Sequence, residues 1–201
     1  MIDLYTAPTP NGQKVAIMLE ETGIAYTAHT IDLNKGEQKK PEFLKINPNG
    51  KIPVIVDADT GVTLSESGAI LVYLAETSGK FLPEDHTSRF AALQWVFFQM
   101  SAIGPMLGQL WHFIDLEPQI HYSTRRYRTE AARILKLVDT RLAESKYLAG
   151  DDYSIADIAT WPWLRNVPAL EFDTERYPNL QRWLAEITAR PAVKRGMAVA
   201  H

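Results

Sequence analysis

The stretch Asn49-Gly50-Lys51-Ile52-Pro53-Val54-Ile55-Val56, followed one short turn later by Leu64-Ser65-Glu66-Ser67-Gly68-Ala69-Ile70, decides the fold. Proline has no backbone N–H and belongs at a strand's start, edge or bulge, so Ile52-Pro53 marks where the apolar run Val54-Ile55-Val56 begins as a strand. X–Pro bonds are the ones that adopt cis, and a cis bond here would leave the Ile52 backbone groups free to pair with an extended chain. Beyond the next turn, a carboxylate and a hydroxyl (Glu66 and Ser67) stand at the start of a helical apolar run. A helix N-terminus bearing Ser67 favours a carboxylate, and Glu66 favours an ammonium. A free sheet edge, an anion site and a cation site side by side describe a receptor for a small zwitterionic peptide. Each part alone has a plainer explanation. Serine caps many helices, acids favour the first helical turn, and proline gives a strand a rigid start. The combination carries the functional reading.

Working outward, residues 1–80 alternate strand and helix signals. Ile2–Thr6 reads as a strand, and Gln13–Thr22 as a helix with Val15, Ala16 and Leu19 on one face and Gly23 placed to end it. Tyr26–Leu33 follows as a strand, Lys40–Ile46 as a short helix, and Val54–Val56 with Val62–Leu64 as a hairpin about Asp59-Thr60-Gly61. A helix from Ser67 ends at Ser78-Gly79. The order βαβαββα is that of a thioredoxin-like domain. Residues 81–86, with Pro83, read as a linker, and 87–201 as an all-helical domain without strands. Its helices are Thr87–Phe113, kinked at Gly104-Pro105, then Pro118–Ser145, one opened by an Ser154 cap with Asp157 at the reciprocal position, and a last one, Asn179–Ala189, ending before Pro191.

The composition excludes several functions. The 201 residues carry a formal charge of −3 from 21 basic and 24 acidic side chains, which suggests neither a nucleic-acid nor a membrane surface. The N-terminus reads as a strand rather than a signal peptide, and Ala69–Ala75, the longest apolar stretch, is too short to span a bilayer. A soluble cytoplasmic protein is expected. With no cysteine, the chain has no disulfide, no zinc-thiolate site and no Cys-x-x-Cys pair. His112 and His121 lack a third ligand at sensible spacing, so no metal is expected. Any thiol chemistry must use a sulfur that the protein binds but does not own.

The Ile52-Pro53 and Glu66-Ser67 arrangement resembles the glutathione transferase family, and the resemblance extends over the whole chain. The opening Met1-Ile2-Asp3-Leu4-Tyr5-Thr6-Ala7-Pro8-Thr9-Pro10-Asn11-Gly12 is similar to the Nu class, bacterial members that reduce disulfides. The resemblance implies that Pro53 is cis, that the Ile52 N–H and C=O hold the cysteinyl residue of glutathione, and that Glu66 and Ser67 grip its γ-glutamyl end. It implies that Thr9 and Asn11 stabilise the glutathione thiolate, that Gln38 contacts glutathione, and that Arg126 of the Arg126-Tyr127 pair reaches a second glutathione carboxylate across a dimer. The residues alone also admit plainer roles. Asn11 serves as an N-cap and Pro10 as a turn former, Gln38 as a surface residue, Lys51 as a solvated lysine or a partner of the glycine carboxylate, and Arg125, Arg126, Arg128 and Arg133 as a solvated helix face. Tyr5 lies inside its strand and reads as core. Met106, Trp111, His112 and Phe113 read either as core or as an apolar site beside the sulfur.

The expectation is a homodimeric enzyme with glutathione as co-substrate and no metal. Its thiolate attacks a small electrophile or disulfide, giving conjugation or glutathione-dependent disulfide reduction. The competing expectation is a non-catalytic scaffold or dimerisation module of the same fold.

Overall fold

The computed structural model describes residues 1–199. Contacts group the chain into two units, Met1–Leu82 with the described residues from Thr188 onward, and Pro83–Ile187.

The first unit contains β1 (Ile2–Thr6), α1 (Pro10–Thr22), β2 (Tyr26–Thr30), a 3-10 turn at Glu37–Lys39, α2 (Pro41–Ile46), β3 (Val54–Asp57), β4 (Val62–Ser65) and α3 (Ser67–Ser78). The sheet order is β2-β1-β3-β4, with β1 and β2 parallel and the other pairs antiparallel. This is the thioredoxin-like βαβαββα arrangement. A parallel pair needs a long crossover, and α1 supplies it. Along β1 the side chains alternate, with Ile2, Leu4 and Thr6 buried on one face. Tyr5, on the other face, stacks on His29 at 4.7 Å and meets Phe43 of α2 edge-on at 6.5 Å, a packing role.

Every residue of α1 from Gly12 to Leu19 is buried, because α3 packs on it and so does α9 (Pro191–Ala198). A methyl group at Gly196 would come within 2.6 Å of the Ile17 Cα, so only glycine lets α9 lie this close. Arg190 grips Glu21 through two hydrogen bonds of 2.6 and 2.9 Å, and Arg195 bonds Glu20 at 2.6 Å. The sequence pattern ends the last helix before Pro191 and assigns 87–201 to one helical domain. Instead, Pro191 stands in the first turn of α9, where its missing N–H costs nothing, and α9 belongs with the first unit. The last two residues of 87–201 lie outside the described residues.

The second unit is helical. It comprises α4 (His86–Phe98), a π-turn at Gln99–Ile103, α5 (Gly104–Asp115), α6 (His121–Glu144), α7 (Ile155–Leu164) and α8 (Pro178–Thr188), the last ending at the boundary. The kink expected at Gly104-Pro105 takes the form of that π-turn. Pro105 has no N–H to give back to the preceding turn, and the wider turn absorbs the loss. Helix α6 begins only at His121, leaving Pro118 outside it. The continuous run His86–Asp115 is long and apolar enough by composition to cross a bilayer, which Ala69–Ala75 did not suggest. Here α4 and α5 pack against α7, and α5 also against α6.

Ser154 caps α7 as its sequence predicts, accepting from the Ala156 N–H at 3.3 Å. The Asp157 carboxylate accepts from the Leu148 and Ser154 N–H groups, both at 3.0 Å, from the Ser154 hydroxyl at 3.2 Å and from the Trp183 indole at 2.8 Å. Burial pushes its carboxyl up to about 6, still ionised at neutral pH and matched to four donors. Ser154→Ala removes one acceptor and one donor of this buried network, and should lower stability by about 1–2 kcal/mol. Chemical denaturation followed by tryptophan fluorescence measures it.

Candidate active site

Register brings the candidate residues of the first unit to one end of its sheet. Tyr5 pairs with Val54, Val54 with Ser65, and Thr6 with Thr30. The end of β1, the start of β3 and the ends of β4 and β2 are therefore abreast. From that end rise the loop to Thr9, the Ile52-Pro53 turn and the Glu66-Ser67 turn. The 3-10 turn holding Gln38 is brought alongside at Gly50, where a methyl group would lie 3.0 Å from the Gln38 carbonyl oxygen.

Helix α1 starts at Pro10, earlier than the expected Gln13, and this settles its cap. Thr9 has extended backbone, and its Oγ1 accepts from the Gly12 N–H at 3.2 Å, so the N-cap is Thr9 and not Asn11. Asn11 falls within the first helical turn and is half-buried. The Thr9 hydroxyl accepts from Gly12 and keeps its own proton to give. A methyl group at Gly12 would meet the Ala7 carbonyl oxygen at 2.3 Å and the Thr6 Oγ1 at 2.4 Å, so the first turn lies directly on the end of β1. A thiolate held at this helix start would be stabilised by the helix dipole and its N-terminal donors.

The Ile52–Pro53 bond is cis, and Pro53 is buried. Ile52 stands outside the β3 register, and neither its N–H nor its C=O has a partner among the described residues. The turn is braced from beneath, the Asn47 Nδ2 donating to the Lys51 carbonyl at 2.7 Å and the Gly50 N–H to the Asn47 carbonyl at 2.9 Å. Lys51 itself is exposed. Gln38 is half-buried, and its Oε1 is buried without a hydrogen-bond partner among the described residues, an acceptor that lacks a donor.

Glu66 has a φ of +71°, uncommon for a residue with a side chain and costing on the order of 1–3 kcal/mol. Ser67 opens α3 and is only 5% exposed. Lys14, on α1, donates from its Nζ to the Ser67 Oγ at 3.3 Å. Burial pushes the Lys14 ammonium down to about 7, with the Glu66 carboxylate acting the other way. Neither the Glu66 backbone nor the burial of Lys14 was anticipated from sequence. Residues three and four positions after Lys14 are Ile17 and Met18, and that spacing alone places it on a buried face.

Arg126 belongs to the second unit. There Met106, Tyr122, Arg125, Arg126, Tyr127 and Glu130 line a cavity of about 660 Å³. The basic cluster of α6 is divided. Arg128 bonds Glu171 at 2.8 Å and the Leu170 carbonyl at 3.1 Å, and Arg133 bonds Glu130 at 2.7 and 2.8 Å, while Arg125 and Arg126 face the cavity. Phe113 stacks on Tyr127 at 5.5 Å, Met106 lines the cavity, and Trp111 and His112 are exposed. No group of three His, Cys, Asp or Glu among the described residues is placed to hold a metal ion.

Two family models match the chain, "Glutathione S-transferase, N-terminal domain" over residues 9–77 and "Glutathione S-transferase, C-terminal domain" over residues 119–191. The disulfide-bond oxidoreductase YfcG of Escherichia coli is 50% identical over 198 residues, covering 96% of this chain and 92% of that protein. A glutathione transferase structure from Burkholderia graminis, with two glutathione molecules bound per subunit, superposes with a TM-score of 0.94 at 46% identity, covering 98% of this chain and 87% of that one. One from Pseudomonas putida, with one glutathione disulfide bound per subunit, gives a TM-score of 0.92 at 41% identity, covering 100% and 92%.

Because Gly12 leaves no room for a methyl group against Ala7 and Thr6, Gly12→Ala should push the first turn of α1 off the sheet end. The expected loss of stability is about 1–3 kcal/mol, read as a lower denaturation midpoint together with changed amide shifts at Thr9 and Asn11.

Proposed function

This chain belongs to the glutathione S-transferase family, and from that premise we propose that it is a glutathione-dependent disulfide-bond oxidoreductase. The observation that carries the proposal is likeness to a disulfide-bond oxidoreductase over nearly the whole chain in a protein without cysteine. The attacking sulfur must then arrive with the ligand. Glutathione lies along the sheet end. Its cysteinyl backbone pairs with the Ile52 N–H and C=O beside Pro53, its γ-glutamyl end meets Glu66 and Ser67, and Gln38 and Lys51 serve the rest of the tripeptide. The sulfur then points at the start of α1, where Thr9 and Asn11 donate to the thiolate.

That thiolate attacks one sulfur of the substrate disulfide. A mixed disulfide forms, and the other substrate sulfur leaves as a thiolate and takes a proton. A second glutathione thiolate attacks the glutathione sulfur of the mixed disulfide. Glutathione disulfide forms and the second substrate thiol leaves, so two glutathiones supply the two electrons. The relatives from Burkholderia graminis and Pseudomonas putida, holding two glutathiones and one glutathione disulfide, match the reductant and the oxidised product of this sequence. Arg126, beside its cavity on α6, is assigned to a carboxylate of the second glutathione. With a carbon electrophile the same thiolate performs conjugation.

The working form is proposed to be a homodimer. In the helical unit Trp95, Phe98 and Leu137 line a groove of about 590 Å³, and Phe90 and Phe97 stand exposed on α4, an apolar face of the kind that another chain covers. The proposed compartment is the cytoplasm, whose glutathione pool keeps thiols reduced.

Two expected outcomes test this reading. Glu66→Ala and Ser67→Ala should each weaken glutathione binding by about tenfold or more while the protein stays folded, since each removes a charge-assisted contact. Calorimetric titration reads the change, and parental affinity in both variants would remove these residues from the site.

Thr9→Ala and Asn11→Ala should lower turnover of 2-hydroxyethyl disulfide more than they lower glutathione affinity. The fall should be about tenfold to a hundredfold, at or below the loss typical of one oriented donor to an anion. Full activity in the double variant would sink the thiolate assignment. A parent inactive on disulfides and on carbon electrophiles would leave the scaffold.

A further inference from the structure

Lys14 projects from α1 into the interior of the first unit and has none of its surface exposed. An ammonium cut off from water is held by whatever faces it. Its Nζ donates to the Ser67 Oγ at 3.3 Å, and the carboxylate of Glu66 is the charged group acting on it from α3. The other elements around α1 engage their charged groups elsewhere. On β1, Asp3 pairs with His29, and on β3, Asp57 pairs with Tyr73 and the N-terminus. On α9, Arg195 pairs with Glu20, Lys194 is exposed, and Arg190 just ahead of the helix pairs with Glu21. Lys14 is thus a buried cation beneath the first residue of α3, touching a hydroxyl assigned to the ligand.

A serine hydroxyl has one proton and accepts through its lone pairs. Once its oxygen accepts from an ammonium behind it, the proton is turned away from that ammonium. We propose that Lys14 is the positioning residue for the anionic end of the ligand: from inside the protein it holds the Ser67 hydroxyl as a donor to the γ-glutamyl carboxylate and adds its charge to the N-terminus of α3. This rests on Glu66 and Ser67 forming the γ-glutamyl subsite. Lys14 does so without touching glutathione, one side chain further in.

The placement has a consequence for protons. With its ammonium pushed down to about 7, Lys14 is only partly charged in the free protein at neutral pH. A carboxylate bound on the far side of Ser67 favours the charged form, so the complex holds Lys14 protonated to higher pH than the free protein does. Between those two values binding takes up protons, and affinity falls as pH rises.

Calorimetric titration with S-methylglutathione reads this directly, because its sulfur cannot ionise and the proton exchanged is not the thiol's. Binding at about pH 7, measured in buffers of different ionisation enthalpy and below the range in which the ligand's own amine titrates, should take up a fraction of a proton, and affinity should fall about threefold between about pH 6 and about pH 7.5. Lys14→Met should bind about tenfold more weakly at about pH 6, with a nearly flat profile from there to about pH 7.5 and much less proton uptake at about pH 7 than the parent. A parent that binds without proton uptake and with a flat profile overturns the proposal, and this result needs no variant to fold. So does a Lys14→Met protein that keeps the parent's affinity and slope. If Ser67→Ala and Glu66→Ala bind as the parent does, the subsite itself has been misplaced. If they weaken binding and Lys14→Met does not, only the role of Lys14 fails.

Discussion

The burial of α1 is the constraint on which the candidate site depends. From Gly12 to Leu19 no residue of this helix reaches solvent appreciably. Val15, Ile17, Met18 and Leu19 are each essentially fully buried, and each contributes about 1.5–3 kcal/mol by leaving water. The helix is gripped on three sides. Gly12 seats it on the end of β1, Lys14 ties it to the start of α3, and Ile17 lies against Gly196 of α9. A helix so enclosed cannot slide or turn without giving up several of these contacts at once. Its N-terminus, with Thr9 and Asn11, is consequently fixed relative to the Ile52-Pro53 and Glu66-Ser67 turns. Preorganised donors at a developing or formed anion depend on that rigidity.

The parts of the structure legible in the sequence are those with local signals. Strand and helix periodicity marked the order of the first unit, Gly79 stopped α3, and Ser154 with Asp157 announced α7, because a capping box is completed within four residues. The start of α1 was not legible. Thr9 and Asn11 are both residue types that cap helices, and only the structure shows that the Thr9 hydroxyl accepts from the Gly12 N–H, with Gly12 seated against Ala7 and Thr6. Helix α9 was missed for a similar reason. Pro-Ala-Val-Lys-Arg-Gly-Met-Ala is short and carries glycine, and an isolated helix of that length is marginal. It is stabilised by Ile17 and by carboxylates at Glu20 and Glu21, far away in the chain.

The candidate site residues show the same division. Ile52-Pro53 and Glu66-Ser67 stood out because residue type and spacing mark them, and register then brought their turns to the same end of the sheet. Lys14 did not: its spacing to Ile17 and Met18 puts it on a buried face, but lysine is a residue type that is rarely buried, and the Ser67 and Glu66 groups that meet it lie far away in the chain. The basic cluster on α6 carried two readings, a solvated face or, at Arg126, a contact to a second glutathione. Residue type could not divide it, and the structure does, into two arginines paired with acids and two that border a cavity.

Two costs fall at the same turn. Glu66 adopts a backbone conformation that side chains disfavour, and Lys14 brings an ammonium into an apolar interior directly beneath Ser67. A lysine whose ammonium is pushed down by burial opposes folding at acid and neutral pH, and the penalty fades only as pH rises from about 7 toward the ordinary lysine value. Packing alone would be served better by methionine or leucine at position 14 and glycine at position 66. In the proposed role the pair provides a serine donor backed by positive charge next to an exposed carboxylate, a polarity matched to an α-amino acid end in which carboxylate and ammonium sit on one carbon. The remaining requirement of the chemistry, a sulfur near the start of α1, is one the cysteine-free chain leaves to its ligand. In the proposed function, stability is spent at the subsite for the ligand's far end, no thiol of the protein stands at the near end, and glutathione is held by the part that does not react.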